Sequence, residues 1–432
     1  MKEVITTKYK KTSFNTIMLY LLAIAKIIFP LVTLPYLTRV LSVETYGAIA
    51  YVKSIIAYAQ TAIDFGFILS AVRDIVNINR EKEETSRVVG NTIVAKLFLA
   101  VISFIVILIL SFVIPILRDY TLLLFLSFIP PLLSCFLLDF FFRGIEKMHI
   151  VSIIFVLMKT ISTLLTILLI KGDQQVLLVP IFDTVSSLCA IVVTWIIYKK
   201  LGYSIKVDGI KAAFKKIKES FLFFANSATS SVFGALTTAV IGVCVNDLQD
   251  VAYWSVSIQL IGAVQAMYTP LSHGLYPYMI KGKDLKLIKI VLLIFMPIVI
   301  VGSIIVGCIS PSLLTIVGGE NYEKAATVFR YLLPVLVISF PVAILGWPTL
   351  GSIEKTKQIN LATLSGAVAQ ILGLVMLYVI GCFSIVNVAI MRNLSEFIMF
   401  AVLLFFVIKY RKQFALEQKN NQSLSGDDNT NK

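Results

Sequence analysis

The chain has 432 residues, of which 58% are hydrophobic and only 14% charged, with a mean hydropathy of +0.91. A soluble domain is usually about 45–50% apolar and about 25% charged, so this excess of apolar surface belongs in lipid. The net charge of +14 does not imply nucleic acid as a partner, because the cytoplasmic connections of membrane proteins collect Lys and Arg.

A basic stretch, residues 1–13, precedes the first apolar run. It superficially resembles a signal peptide, but the run continues to Leu37 and reads as an uncleaved first span. Runs of spanning length follow at 14–37, 46–70, 88–114, 120–142, 150–170, 176–198, 219–245, 251–275, 286–310, 326–350, 358–380 and 385–408. A bilayer crossing takes about 20 residues, which gives about twelve transmembrane helices. The runs are continuous and do not alternate, so a β-barrel is excluded. The expected fold is therefore an all-α polytopic membrane protein.

The connections alternate in charge. Lys8, Lys10 and Lys11, then Arg73, Arg80, Lys82 and Arg87, then Arg143 and Lys147, then Lys199, Lys206, Lys211 and Lys216, then Lys281 and Lys283, then Lys355 and Lys357 all fall on one side. The opposite connections hold only Arg39, Arg118, Lys171 and Lys324. The positive-inside rule places both termini in the cytoplasm. The longest connection, 199–218, is basic and divides the chain into helical lobes at 14–198 and 219–408. Its segment 210–217 is amphipathic and suits an anionic membrane surface. Residues 409–432 form a polar cytoplasmic tail. The halves are weakly alike at an offset of about 200 residues, an arrangement seen in carriers with a substrate site between repeats: Leu41–Ala48 resembles Val245–Ala252, and Pro115–Tyr120 resembles Val317–Tyr322.

Charged residues inside the spans carry the functional argument. Lys26, Lys53, Lys96 and Lys159 each lie well within an apolar run. A charge at the bilayer centre costs at least about 2.5–3.5 kcal/mol, so such groups face a protein-lined or wet interior. In the second helix Tyr46, Ala50, Lys53, Ala57, Gln60 and Asp64 recur at intervals of three and four and share one face. They form the wall of a polar cavity or are satisfied separately by their neighbours. Lys53 and Asp64 are roughly 16 Å apart along the helix and do not pair. Asp183 and Asp139 are the other acidic groups deep in this half, and a Lys–Asp ion pair accounts for one lysine but not for four. Arg392 and Glu396 stand four apart on the last helix, the spacing of an internal pair. Arg330 lies near the end of the tenth helix, within reach of water. Pro30, Pro35, Pro270, Pro341 and Pro348 are expected to kink or end helices. Cys135, Cys189, Cys244, Cys308 and Cys382 form no CxxC pair, and His149 and His273 are the only histidines. No metal site, cofactor motif or catalytic constellation is present, so the chain does not read as an enzyme.

Pro35-Tyr36-Leu37-Thr38-Arg39-Val40-Leu41, Tyr46-Gly47, Asp64-Phe65-Gly66 and Ser70-Ala71-Val72-Arg73 together resemble the N-terminal signature of the Wzx-type O-antigen and polysaccharide flippases. Gly318-Gly319-Glu320-Asn321-Tyr322-Glu323-Lys324-Ala325-Ala326 is similar to that family's ninth–tenth connection. The resemblance implies the multidrug/oligosaccharidyl-lipid/polysaccharide (MOP) exporter fold, two six-helix lobes in a V with a central cationic cavity. It implies alternating-access transfer of an undecaprenyl-diphosphate-linked oligosaccharide from the cytoplasmic to the periplasmic leaflet of the bacterial inner membrane. On this reading Lys26, Lys53, Gln60, Lys96, Lys159, Arg330 and Arg392 line the substrate path. Asp64 and Glu396 are candidates for a coupling ion, proton or sodium, and no cofactor is needed. The partners are the lipid-linked oligosaccharide and the bilayer; contact with a polymerase or chain-length regulator has no motif to support it. Two rival readings remain open: a small-molecule or multidrug exporter of the same fold, whose site would favour acidic residues, and a membrane polysaccharide polymerase, which needs a larger outward loop.

Overall fold

The computed structural model describes residues 2–245 and 247–416 and is helical nearly throughout. The helices are α1 (Lys2–Val40), α2 (Val43–Asp64), α3 (Phe67–Asn77), α4 (Lys82–Val113), α5 (Pro115–Asp119), α6 (Thr121–Ser134), α7 (Asp139–Gly144), α8 (Met148–Leu169) and α9 (Leu178–Lys200). Then follow α10 (Ile210–Ser231), α11 (Thr237–Val245), α12 (Leu248–Ala266), α13 (Tyr268–Gly282), α14 (Leu285–Cys308), α15 (Ser310–Gly318), α16 (Ala325–Ile344), α17 (Thr356–Ile380) and α18 (Ile385–Lys409). Eleven segments among the described residues are long and apolar enough to cross a membrane. The chain is a multi-span membrane protein.

The expected eighth span, 251–275, is the one not in that set. It is broken at Met267 between α12 and α13. Pro270 has no N–H to offer the carbonyl of Ala266, so the first helix cannot propagate through it. Pro30 and Pro35 do not end α1, which runs through both. Pro30 still leaves the carbonyl of Lys26 without its helical donor, a local weakness at an intramembrane lysine. The tenth span unwinds after Ile344 into a wide turn, Leu345–Thr349, where Gly346 leaves helical geometry (ψ −107°) beside Pro348.

The chain divides into two compact units, Met1–Ser231 and Val232–Lys432. The break expected at 199–218 is therefore not where the units separate. Residues 210–218 are the first turns of α10, and α10 packs on α2, α3 and α4. The segment is no free-standing surface helix: Lys216 is buried and ion-paired to Asp74. Helix α1 begins at Lys2, ahead of the expected start at 14, and the helix after α18 reaches residue 416. The rest of the expected tail, 417–432, lies outside the described residues.

In the first unit an aromatic knot closes the end that carries the basic connections. Phe140, Phe141 and Phe142 are buried with Leu138, Ile75, Val89 and Tyr198, and Phe141 meets Tyr198 and Tyr203 edge-on. The Asp64-Phe65-Gly66 stretch is the turn from α2 to α3. Phe65 and Gly66 both adopt left-handed backbone (φ 41° and 71°), and Phe65 stacks on Phe224 of α10 at 4.3 Å. A Cβ at Gly66 would lie 2.4 Å from Phe223 Cβ. Gly66→Ala therefore costs about 1–3 kcal/mol in backbone strain, with overpacking against α10 added. The expected outcome is sharply reduced folded protein in the membrane, read as the monodisperse fraction after detergent extraction.

The 201–209 connection is clasped to the start of α4. Arg87 pairs with Asp208 at 2.7 Å and Lys206 with Glu83 at 2.7 Å. Asn91 donates to Asp208 at 2.7 Å and accepts from its backbone N–H at 3.0 Å. The Asn91 hydrogen bond, then Arg87, hold the Asp208 carboxyl below its ordinary value of 3.8. A depressed carboxylate contributes stability above its unfolded value, and loses it as pH falls through the lower folded value. The clasp should be intact at neutral pH and open on acidification below 3.8, or in Asp208→Asn. Faster amide exchange at Lys206 and Asp208 reports the opening; unchanged exchange in the variant would show the clasp to be inert.

In the second unit, Phe340, Ile344, Leu350, Ala362, Met279 and Leu403 form the core. The Gly318–Tyr322 motif is likewise a packed turn. Tyr322 is fully buried, and a Cβ at Gly318 would lie 2.5 Å from its ring. Helices α2 and α12, the supposed repeat partners, each start at a side-chain cap, Ser42 and Asp247.

Candidate functional site

The polar face of α2 lines two cavities in the first unit. The larger, about 400 Å³, is walled by Lys26 of α1, Gln60 and Asp64 of α2, Lys96 of α4, Ser134 of α6, Asp139 of α7, Lys159 of α8 and Asp183 of α9. The smaller, about 230 Å³, is walled by Lys53, Ala57 and Gln60 of α2 with Ser127, Pro130, Pro131 and Asp183. Gln60, Pro130 and Asp183 belong to both walls. The spacing of three and four thus brings Lys53, Ala57, Gln60 and Asp64 to one continuous surface, while the opposite face of α2 (Ala48, Tyr51, Val52, Ala59, Ile63) is buried.

Two of the four lysines are neutralised there. Lys96 lies 2.9 Å from Asp64, with its side chain only 8% exposed. Gln60 donates to the other carboxylate oxygen of Asp64 at 2.7 Å and to the Ser134 hydroxyl at 3.0 Å. Lys159 lies 2.6 Å from Asp183, and the Ser162 hydroxyl donates to the same carboxylate at 3.1 Å. A buried ion pair holds its desolvation cost down only when further hydrogen bonds satisfy it. The serines and the glutamine do that here.

Lys26 and Lys53 are different. Among the described residues neither lies within ion-pair distance of a carboxylate. Lys26 is exposed to the larger cavity with its ammonium 5.7 Å from the centre of the Phe155 ring, a cation–π contact. Lys53 is exposed to the smaller cavity, across from Asp183, which Lys159 already holds. Asp139 lines the larger cavity and also has no hydrogen bond or ion pair among the described residues. Together the walls carry four lysines (26, 53, 96 and 159) against three aspartates (64, 139 and 183). The positive surplus is a single charge, concentrated on the two lysines without partners.

The residues singled out in the second half are not brought into one site. Arg392 and Glu396 form a buried pair at 2.5 Å, their side chains 6% and 3% exposed. The Arg392 guanidinium sits 4.5 Å from the Phe233 ring. Beside them Ser395 donates to Gln370, and Gln370 donates to Thr237. This cluster ties α17 and α18 to the wide turn at 232–236, with the pair buried inside it. Arg330 lies elsewhere, on an exposed groove between α14 and α16.

The wall residues Ser134 and Phe155, and Ser162 behind Asp183, are not apparent from the sequence. They are common residue types in apolar helices, and only the packing shows which of them turn inward. Asp139 is visible as a residue but not as a cavity wall. It reaches there because α6 ends at Ser134, shortly after Pro130-Pro131, and the chain turns back through the six-residue α7.

Residues 14–283 match the family described as "Polysaccharide biosynthesis protein". The chain belongs to this family of membrane polysaccharide biosynthesis proteins. A "Putative O-antigen transporter" of Shigella dysenteriae is 24% identical over 370 residues, covering 83% of this chain and 91% of that protein. A protein of the same description from Escherichia coli (strain K12) is 21% identical over 329 residues, covering 74% and 79%. Among solved structures, the inward closed conformation of the lipid II flippase MurJ aligns with a TM-score of 0.65 at 13% identity, covering 95% of this chain and 90% of the other. An inward-facing MATE-family multidrug transporter of the MOP superfamily aligns at 0.63 and 12% identity, covering 90% and 95%. The chain shares its fold with these two structures.

Proposed function

We propose that the protein is a flippase that carries isoprenoid-diphosphate-linked oligosaccharide units across the bacterial inner membrane, with an O-antigen repeat unit as cargo. The observation that carries this reading is the pair Lys26 and Lys53, two intramembrane ammonium groups with no ion-paired carboxylate among the described residues, in a chain of the polysaccharide family. A diphosphate brings two negative charges. Taking them through hydrocarbon unpaired costs many kcal/mol. Two unpaired lysines on neighbouring walls offset that cost, while Gln60 offers hydrogen bonds to sugar hydroxyls. The long isoprenoid chain stays in lipid.

A multidrug exporter would recognise cations, and the net charge of the cavity walls, four lysines against three aspartates, has the wrong sign for that. The transfer makes no bond, so the protein acts as a transporter and not as an enzyme. Both termini face the cytoplasm on this reading, since most of the basic connections lie on their side. No cofactor is required. Where an ion gradient drives the cycle, Asp64 is the carboxylate through which it acts: a proton there releases Lys96 as a third cation. Glu396, buried and held by Arg392, fits that role less well. A polymerase would take the units up in the outer leaflet.

The test is the sidedness of lipid-linked units in right-side-out vesicles from a deletion strain, read with an external lectin or glycosidase. Units trapped on the inner leaflet, and restored to the outside by the wild-type gene, are expected. Unchanged exposure in the deletion strain would overturn the reading.

A further inference from the structure

The groove between α14 and α16 has no part in the transport reading. It is about 730 Å³, within the size range of small-molecule sites, and open along one side. Its walls are apolar, with Ile300 and Ile304 from α14 and Leu333, Pro334 and Val337 from α16. Ile300 and Ile304 are 38% and 61% exposed, and α14 is the least buried of the eleven spans. The groove therefore opens toward lipid.

Arg330 closes the groove near one end. Its Nε donates to the Gly307 carbonyl at 3.0 Å and to the Ser310 hydroxyl at 2.7 Å. Those bonds fix the plane of the guanidinium and leave both terminal amino groups without a partner among the described residues. Arg330 is the only charged group of the lining, and the Ser303 hydroxyl on the facing α14 wall is also unpartnered. A guanidinium held in this way presents its fork to a phosphate.

We propose that this groove is a binding site for a resident anionic glycerophospholipid, with the phosphodiester on Arg330 and an acyl chain along Ile300, Ile304 and Val337. The charge selects this occupant. One guanidinium matches the single negative charge of a phosphodiester, whereas a diphosphate would call for a second cation that the walls lack. The site lies in the leaflet on the side of the 309–324 connection. It does not rest on the flippase reading, because any protein of this structure in an anionic bilayer would hold the lipid.

The test uses the purified full chain, delipidated and exposed to phosphatidylglycerol or phosphatidylcholine, with bound lipid counted by native mass spectrometry. Wild type should retain one phosphatidylglycerol about tenfold more tightly than phosphatidylcholine, as one charge-assisted contact allows. Arg330→Ala should lose that preference, and Arg330→Lys should lose most of it, because a lysine lacks the anchored fork. Ile304→Trp keeps the arginine but fills the groove on an exposed face, and it should reduce retention of both lipids. Inorganic phosphate at the same concentration should not displace phosphatidylglycerol. Equal retention of the two lipids by wild type would overturn the proposal, as would undiminished phosphatidylglycerol in Arg330→Ala. Displacement by free phosphate would reduce the site to an anion contact. Tighter retention of an isoprenoid monophosphate than of phosphatidylglycerol would reassign the groove to the carrier lipid and contradict the occupant named here.

Discussion

Lys53→Ala should abolish surface polymer while Lys53→Arg keeps most of it. The ammonium faces a cavity and has no carboxylate to neutralise it among the described residues. Its loss removes a charge-assisted hydrogen bond to the diphosphate, worth about 1.5–3 kcal/mol and therefore roughly one to two decades in transport rate. Arginine restores the charge at nearly the same reach. Lys26→Ala should act in the same direction but less strongly, because Phe155 shares the ammonium. Lys159→Ala should differ in kind, since it would strip Asp183 of its partner. Polymer on the cell surface, normalised to the amount of protein in the membrane, reads these effects. Equal loss in Lys53→Ala and Lys53→Arg, at normal protein level, would contradict the charge argument.

Glu396→Ala is expected to unfold the second unit rather than slow transport selectively. It leaves the Arg392 guanidinium buried and unpaired, and breaking a buried pair from one side costs about 3–5 kcal/mol. The Arg392 Nε already has no hydrogen-bond partner among the described residues, so little remains to absorb the charge. Removing both members, as Arg392→Met with Glu396→Leu, should recover most of the loss, because an apolar pair of similar volume is often neutral or stabilising. Thermal unfolding in detergent measures each. The double variant also separates structure from coupling. If it folds and still transports, the pair is only structural. If it folds and transports nothing, Glu396 belongs to the cycle.

The local patterns in this chain were legible from sequence, and the long-range ones were not. The face Lys53–Ala57–Gln60–Asp64 and the pair Arg392–Glu396 follow from helical period alone, and the structure keeps both. The partner of Asp64 does not follow. Lys96 is 32 residues away on another helix, and four lysines and three aspartates allow many pairings until the helices pack. The two ion pairs left Lys26 and Lys53 as the unpaired cations, which a count of charges cannot decide. Helix breaks were legible only in part. Pro270 does stop a helix, but Pro30 and Pro35 lie inside α1. The division at Ser231–Val232 was hidden because the apolar run 219–245 is continuous across it, and the wide turn at 232–236 has no marker beyond Gly234. Two of the family motifs, Asp64-Phe65-Gly66 and Gly318–Tyr322, mark turns. Gly66 and Gly318 are positions where a side chain does not fit, which accounts for their residue types without a role in substrate binding.

The most direct measurement is translocation of a fluorescent isoprenoid-diphosphate oligosaccharide by the purified protein in liposomes, followed as loss of signal to an external quencher or glycosidase. Wild type should bring the inner pool to the accessible face, and the Lys26→Ala, Lys53→Ala double variant, equally folded and equally reconstituted, should leave it protected. Transfer by the double variant at the wild-type rate would contradict the account, for it would show that the two unpaired lysines do not carry the charge of the cargo.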